Sequence, residues 1–322
     1  PGTMSISEVT MSAHSVLDVL STRFGSQVKT NVVLAPYTSA RIGGRADILV
    51  AAHSADELSE IVGMLWQEGI EPVILGGGSN VLVSDLGIRG ITVINRAKAV
   101  RFEQGDSPSI WAESGVVFSN LANRCAVKGL AGLEWAATVP GTIGGAIYGN
   151  AGAFGGDMAG NLIWAEALTR TGRERWPVDS LGYGYRTSVL KRRERQGVLL
   201  AAQLGVTHST PETVAAKMAI FGEQRKNTQP PGASMGSMFK NPPGDKAGRL
   251  IEAAGLKGRR VGNVEISRVH ANFFVNHGRA QAADVKALIE IARRTVRARL
   301  GVELELEIEL VGEGMELAPS AA

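Results

Sequence analysis

Two dense glycine-rich stretches constrain the fold of this chain more than any other feature of its sequence. Residues 75–80 read LGGGSN between two short apolar runs, and residues 140–146 read PGTIGGA. Because glycine lacks a Cβ and tolerates positive φ, such stretches let the backbone approach a phosphate and offer it N–H groups. A third stretch, residues 149–156, follows directly. Tight turns without a ligand are one interpretation; two such stretches in one predicted domain favour a ligand that carries a pyrophosphate.

The common nucleotide-binding motifs are missing from these stretches. No Gly-Lys-Ser/Thr occurs at P-loop spacing, which argues against a nucleoside triphosphatase. Neither stretch reads G-x-G-x-x-G between a strand and a helix of a βαβ unit, so a Rossmann domain is also disfavoured.

Composition excludes several other classes of protein. A net charge of +3 and 5% aromatic residues give no basis for nucleic-acid binding, and no apolar run approaches the ~18 residues that a membrane span needs. The single cysteine, Cys125, allows no intrachain disulfide and favours a cytoplasmic protein. Its helical apolar neighbours predict a core residue, not a nucleophile. The histidines are scattered without ligand spacing, so no metal site is predicted.

Hydrophobic periodicity predicts an α+β fold. Ser54 is the expected N-cap of a helix over residues 54–69, with Glu57 completing a capping box. Further helices are predicted at 118–127, 211–221, 250–254 and 284–300, and strands at 73–75, 81–83, 91–94, 272–275 and 302–311. Helices and strands follow no regular βαβ period. The Pro/Gly-rich residues 229–232 mark the clearest loop between two parts of the chain.

Four segments in the first half resemble one known family. They are residues 38–44 (TSARIGG), 75–80, 139–146 (VPGTIGGA) and 150–152 (NAG). Their order and spacing are similar to the FAD domain of the bacterial UDP-N-acetylenolpyruvoylglucosamine reductase (MurB) family. The resemblance implies a two-part FAD-binding domain of the vanillyl-alcohol-oxidase (PCMH) type at 16–207, with subdomains at about 16–97 and 98–207. A C-terminal α+β substrate-binding domain at 208–322 would follow.

The same resemblance implies which residues bind FAD. They are Arg41, Gly43, Gly76, Gly77, Gly78, Ser79, Asn80, Pro140, Gly141, Thr142, Ile143, Gly144, Gly145, Asn150 and Gly152. Relatives of this fold often tether FAD through a histidine in a glycine-rich loop. These loops contain no histidine, and His53 lies outside them, so noncovalent FAD is expected.

The resemblance continues through the second half of the chain. Residues 183–188 (YGYRTS), 236–242 (GSMFKNP) and 270–276 (HANFFVN) resemble family motifs, of which the second is the most specific. The implied reaction is NADPH-dependent reduction of UDP-N-acetylglucosamine enolpyruvate to UDP-N-acetylmuramate in peptidoglycan precursor synthesis. No long insertion follows Arg186, which resembles the shorter subtype of the family. No nicotinamide motif is visible, so the choice between NADPH and NADH stays open.

The chemistry of this reaction suits three residues that the resemblance selects. Arg186 can grip the substrate carboxylate, because its planar guanidinium stays charged, and can stabilise negative charge that develops there. Ser237 matches the family's proton donor, and Lys240 or a bound water can support the alkoxide that the serine becomes. Glu307 matches the family's catalytic glutamate, counted back from Gly312.

The glutamate assignment depends on register. Residues 303–309 alternate glutamate with apolar residues, a period-two pattern that predicts all four carboxylates on one solvated face of a strand. The pattern alone cannot choose among them, so a slip to Glu305 or Glu309 stays open.

The diphosphate and sugar of the substrate need further residues. Lys226 is the expected phosphate ligand, with Arg225 as the alternative, and Tyr185, Lys240 and Asn241 are expected substrate contacts. His270 is expected to be structural. No macromolecular partner is predicted, and the chain is expected to act as a monomer. An oxidase of the same FAD fold and a flavin-binding module without catalysis are the competing functions.

Overall fold

The computed structural model describes residues 13–316, so the last residues of the predicted C-terminal domain, 317–322, lie outside the described part. The helices are α1 (Ala13–Phe24), α2 (Ala55–Gln67), α3 (Phe118–Val127), α4 (Ile143–Gly149), α5 (Met158–Asn161), α6 (Pro211–Thr228), α7 (Ala247–Ala253) and α8 (Ala282–Leu300). The strands of the first half are β1 (Val28–Val33), β2 (Arg45–Ala52), β3 (Val73–Leu75), β4 (Val81–Val83), β5 (Ile88–Asn95), β6 (Val100–Glu103), β7 (Ser109–Glu113), β8 (Leu130–Ala131), β9 (Gly152–Ala153) and β10 (Gly156–Asp157). Those of the second half are β11 (Leu162–Thr169), β12 (Gly172–Pro177), β13 (Val198–Gly205), β14 (Thr207–His208), β15 (Arg260–Val261), β16 (Val264–Ile266), β17 (Phe274–Asn276) and β18 (Glu309–Val311).

The first sheet has the strand order β1-β2-β5-β3 and is covered by α2. β2, β5 and β3 run parallel to one another, and β1 is antiparallel to β2. The apolar stripe of α2 is fully buried, and each such leucine or isoleucine stabilises the fold by about 1.5–3 kcal/mol. Ser54 Oγ accepts the Glu57 N–H at 3.1 Å, which confirms the predicted N-cap. The Glu57 carboxylate accepts the N–H of His53, not that of Ser54.

The second sheet is antiparallel with the order β12-β11-β13-β7-β6. Its core includes residues of α3 and α4, and the rings of Phe118 and Trp135 meet edge to face there. Cys125 on α3 is 1% exposed, which confirms its prediction as a core residue. Burial raises the pKa of its thiol to about 12, so the reactive thiolate is suppressed.

The third part combines the small sheet β15-β16-β17 with α7 and α8. α8 begins two residues before the predicted start, where Gln281 and Asp284 form a capping box. The core of this part also contains Ala40, Ile42 and Leu82 from the first half of the chain. The C-terminal part therefore packs directly on segments that the sequence predicts to bind the cofactor.

The predicted strand over residues 302–311 is wrong for most of its length. Only Glu309–Val311 is a strand, β18, and it pairs in parallel with β4. Leu306 forms an isolated bridge with Phe239, and residues 301–305 lie in no regular element. Apart from that single bridge, residues 302–308 have no partner strand, so the backbone is not held to the pleat that period-two side chains require.

The predicted helix over residues 211–221 is too short. α6 continues to Thr228, which places Arg225 and Lys226 in its last turn, directly before the loop at residues 229–232. The α+β class is confirmed by the observed segregation of helices and mixed or antiparallel sheets. The domain boundaries at 97 and 207 stay predictions.

Candidate active site

The two glycine-rich stretches contact each other in the folded chain. Residues 76–80 join β3 to β4, and residues 140–142 lead into α4. A Cβ added at Gly77 would lie 2.9 Å from the Gly141 Cα, and one added at Gly141 would lie 2.5 Å from the Ser79 Oγ. Real Cβ atoms do not approach other atoms so closely, so the two loops can meet only as glycines.

This junction carries unpaired backbone donors. Within residues 13–316, no N–H group of residues 76–80 donates a hydrogen bond to the chain, nor do those of Gly141 and Thr142. Backbone N–H groups of folded proteins normally have a partner in the protein or in solvent. A row of free donors beside glycines that leave room for a ligand fits a pyrophosphate.

The predicted segment at residues 38–44 lies against the first glycine loop. The Ser39 N–H donates to Gly78 O at 3.0 Å, and the Thr38 hydroxyl holds Ile42. Arg41 is exposed, and its φ of 57° lies in the left-handed region that few non-glycine residues adopt. Arg41 and Gly43 are thus brought to the same junction as residues 76–80.

Asn150 and Gly152 connect the third stretch to the Tyr-Arg segment. The Asn150 amide donates to Gly184 O at 3.1 Å and accepts the Ala159 N–H at 3.0 Å. Gly152 O accepts from the Arg186 guanidinium at 2.8 Å. The Asn150 side chain is therefore occupied by protein partners, and its contact with FAD stays a prediction.

A cavity of about 700 Å³ borders the junction, and the sequence did not predict it. Tyr37, Val116 and Val117 line it, and each of them adjoins Gly78 or residues 142–143. Its basic lining consists of Lys29, His53, Arg96, Lys98 and Arg124. Lys29 lies in β1 and Arg124 on α3, whereas the other three lie in loops. They form no motif, so only the folded chain brings them together.

Arg186 lies in a strained backbone conformation beside a carboxylate. Its φ of 55° is in the left-handed region, where strain at a non-glycine residue costs about 1–3 kcal/mol. Its Nε lies 3.0 Å from Glu307 Oε1, an ion pair between two largely buried side chains. The Nε–H is not aligned for a hydrogen bond, and it has no other partner among residues 13–316. The ion pair therefore leaves the Arg186 Nε–H without a hydrogen-bond acceptor.

Glu307 differs from its neighbouring glutamates. Its side chain is 15% exposed, whereas that of Glu305 is 73% exposed, so the predicted shared solvated face is wrong. Burial raises the pKa of Glu307, and the nearby charges of Arg186, Lys191 and Lys240 oppose that rise. Its backbone is held as well: the N–H donates to Met238 O at 2.9 Å.

Ser237 is positioned by a clamp at Asn272 that the sequence did not reveal. Ser237 bridges Phe273, and the Asn272 amide both accepts the Phe239 N–H at 2.9 Å and donates to Phe239 O at 2.8 Å. Met238, the next residue after Ser237, is the one that accepts the Glu307 N–H. The serine segment and the glutamate segment are therefore adjacent.

The predicted substrate residues fall into two groups. Tyr185 is 57% exposed and accepts the Asn241 N–H at 3.4 Å, while Lys240 forms an ion pair with Glu305. The exposed Tyr185 ring is thus not a core residue, and it lies beside the segment that contains Lys240 and Asn241. Lys226 is exposed at the end of α6, whereas burial lowers the pKa of the adjacent Arg225. Among residues 13–316, no hydrogen bond or ion pair joins either residue to Ser237, so the choice between them stays open.

Other candidate groups have structural explanations. His270 Nδ1 accepts the Asn272 N–H at 3.2 Å, which supports its structural role. Residues 13–316 contain no cluster of three or more His, Cys, Asp or Glu side chains that could hold a metal ion. None of the helices described here combines the length and the apolar character that crossing a membrane requires.

Two family models match the chain, one over the glycine stretches and the other over Ser237 and Glu307. The FAD binding domain matches residues 46–176, and the C-terminal domain of UDP-N-acetylenolpyruvoylglucosamine reductase matches residues 227–311. The Rubrobacter xylanophilus protein of that name is 47% identical, with 86% of this chain and 93% of its own length covered. The Chloroflexus aggregans protein is 44% identical, with 88% and 97% covered.

A solved structure supports the same family. The crystal structure of UDP-N-acetylenolpyruvylglucosamine reductase from Thermus caldophilus matches with a TM-score of 0.74 at 34% identity. It covers 87% of this chain and 97% of its own. The junction of glycine loops, the Arg186–Glu307 pair and the clamped Ser237 segment thus lie in a chain that belongs to the UDP-N-acetylenolpyruvoylglucosamine reductase family.

Proposed function

We propose that this protein is an FAD-dependent reductase that uses NADPH to convert UDP-N-acetylglucosamine enolpyruvate to UDP-N-acetylmuramate. The observation that carries the proposal is the meeting of Arg186, Glu307 and the Ser237 segment beside the glycine loops. These residues come from distant parts of the sequence, and each suits one need of the reaction. The product is a peptidoglycan precursor, which places the protein in cell-wall synthesis.

The glycine junction and the cavity beside it would hold the cofactor. Free N–H groups at residues 76–80, 141 and 142 suit its pyrophosphate, and the basic cavity offers room for one end of the molecule. FAD, when bound, supplies the hydride for the enolpyruvyl double bond. We propose that FAD is noncovalent, because the glycine loops contain no histidine. His53 does line the cavity, so release of flavin by acid precipitation is the test of this point.

Arg186 and Glu307 are placed to stabilise charge on the substrate. Negative charge develops toward the substrate carboxylate as hydride adds, and a fixed guanidinium beside it lowers the energy of that state. Glu307, whose pKa is raised by burial, lies beside the same guanidinium and would help to place it against the substrate carboxylate oxygens.

Ser237 would deliver the proton to the remaining alkene carbon. A serine hydroxyl is a weak acid, so its alkoxide needs a nearby positive charge or a proton relay. Lys240, three residues further on and largely buried, suits that role once substrate displaces its ion pair with Glu305. Tyr185 and Asn241 would bind the nucleotide sugar, and Lys226 its diphosphate.

An anaerobic flavin experiment tests the function. We expect NADPH to bleach the flavin absorbance of the purified protein in the absence of oxygen, and the enolpyruvyl substrate to restore it. Reoxidation by air alone would instead support the competing oxidase. A flavin that NADPH does not bleach would support the binding module without catalysis. Repeating the reduction with NADH measures the nucleotide preference.

The register of the catalytic glutamate is a separate prediction. Glu307→Gln is expected to lower kcat by about 10²–10³-fold, because it removes a group beside the developing charge. Glu305→Gln is the matched control, since its carboxylate is exposed and contacts only Lys240 among the described residues. Glu309→Gln is expected to cost less than Glu307→Gln. A loss confined to position 305 or 309 would show that the assigned register is wrong.

Three further expectations belong to this proposal. The protein is expected to be monomeric and cytoplasmic, and its domains are expected at 16–207 and 208–322. Residues 187–197 form turns and no regular helix or strand. This short connection supports the shorter subtype, with a more open substrate cleft.

A further inference from the structure

Lys191 occupies a position that neither the sequence pattern nor the mechanism above uses. Its ammonium group is largely buried and lies 2.8 Å from the Glu307 backbone oxygen, to which it donates. The same group lies 3.0 Å from Glu309 Oε1. One buried cation therefore holds two residues of the segment that carries the proposed catalytic glutamate.

The backbone of Lys191 is anchored on the opposite side, at α4. The Lys191 N–H donates to Ser188 Oγ at 3.2 Å, and that hydroxyl donates to Tyr148 O at 2.6 Å. Ser188 is fully buried. Because α4 begins within the second glycine stretch, this chain of contacts ties Lys191 to the predicted cofactor site.

The Glu307 backbone oxygen has a second donor from the other glycine loop. The Asn80 amide donates to it at 3.2 Å, and the Glu309 N–H donates to Asn80 O at 2.9 Å. The carbonyl is therefore held from both predicted cofactor loops, by Asn80 directly and by Lys191 through α4. These two hydrogen bonds to one carbonyl oxygen fix the distance between the Glu307 carboxylate and anything bound at the glycine junction.

We propose that Lys191 is a positioning residue for the reduction, which holds the Glu307 segment in place through the Glu307 carbonyl and the Glu309 carboxylate. The proposal rests on the catalytic role of Glu307 proposed above. Without the ammonium, the Glu307 carbonyl keeps only Asn80, and the half-buried Glu309 carboxylate loses its ion pair. A shift of about 1 Å in a catalytic group can cost about 10²-fold in rate.

Lys191 also contributes charge at this place. The cations that face Glu307 are Arg186, Lys191 and Lys240, and all three favour its ionised form. Removing Lys191 therefore raises the pKa of Glu307 further. The limb of the pH profile of kcat that belongs to Glu307 must then move to higher pH.

The test compares Lys191→Met with Lys191→Arg and Lys191→Gln in the FAD-loaded enzyme. Lys286→Met is the matched control, because Lys286 also holds backbone oxygens, those of Gly314 and Glu316, but away from the site. For each variant, FAD content, Tm, kcat, KM and the pH profile of kcat are measured. Glu307→Gln identifies the limb that belongs to Glu307, because that limb disappears in this variant.

We expect Lys191→Met to lower kcat by about 10²-fold, with a smaller change in KM and the Glu307 limb at higher pH. Lys191→Arg should recover part of kcat, and Lys286→Met should resemble the wild type. A wild-type kcat in Lys191→Met overturns the proposal. A lower Tm and a lower FAD content without a shift of the Glu307 limb also overturn it. If Lys191→Met does not hold FAD, Lys191→Gln decides by the same criteria. An active Glu307→Gln would instead refute the role of Glu307 itself.

Discussion

Ser237→Ala is expected to lower turnover of the enolpyruvyl substrate by about 10³-fold while NADPH still reduces the flavin. The two half-reactions separate because the hydroxyl is needed only when the substrate carbon receives its proton. Alanine fits the site, since the position is held by its backbone bridge to Phe273 and by the Asn272 clamp on the following residues. The fold and FAD content should therefore be unchanged.

Stopped-flow absorbance distinguishes the two half-reactions. Reduction by NADPH is recorded first, and reoxidation by the substrate is recorded in a second anaerobic mixing step. Ser180→Ala is a matched control, because its hydroxyl bonds only the Pro177 carbonyl in the described structure. Normal reoxidation of the reduced Ser237→Ala enzyme would refute the proton-donor role. Impaired reduction by NADPH would show that the serine acts earlier than proposed.

Arg186→Lys should be nearly as damaging, although it keeps the charge. We expect kcat/KM for the enolpyruvyl substrate to fall by about 10²–10³-fold, a typical loss for a donor that stabilises developing charge. Lysine cannot reproduce the fixed fork of donors that reaches Gly152 O and Glu307 together. It also leaves Glu307 with a more distant cation, which favours the protonated carboxyl in the free enzyme.

The measurement for Arg186→Lys is the rate at which substrate reoxidises the reduced enzyme over a range of substrate concentrations. Arg192→Lys is the matched control, because Arg192 forms an exposed ion pair with Glu194 in the same turn region. A variant that keeps the wild-type maximum rate and loses only affinity would show that Arg186 binds substrate without assisting the reaction.

Local patterns predicted the parts of this fold that local physics determines. The stripe of α2 and its Ser54 cap, the limits of α3 and the glycine connection between β3 and β4 follow from neighbours in sequence. The glycine loops predicted a pyrophosphate site because close backbone approach has few other uses at that density. The identity of the reaction came from motif resemblance, since composition and periodicity carry no information about an enolpyruvyl group.

The residues that sequence analysis missed are those defined by distant partners. Asn272 and Lys191 act through contacts with residues far along the chain, and no local pattern indicates those contacts. The glutamates show a different error, because a local pattern predicted a shared face that the fold does not have. Their alternation predicted one solvated face, but before Glu309 the segment is paired only by the single bridge of Leu306 with Phe239. The strand pattern is therefore not kept, and Glu307 lies beside Arg186 while Glu305 stays in solvent.

The pairing of β18 with β4 has a consequence for how the protein matures. Val81 and Glu309 are neighbours in the sheet but lie far apart in the sequence. At about 5–20 residues per second, the ribosome needs on the order of tens of seconds to make the residues between them. The first glycine loop therefore emerges long before the strand that flanks it. Capture of the flavin is then a late event in biogenesis, completed after synthesis has passed Val311.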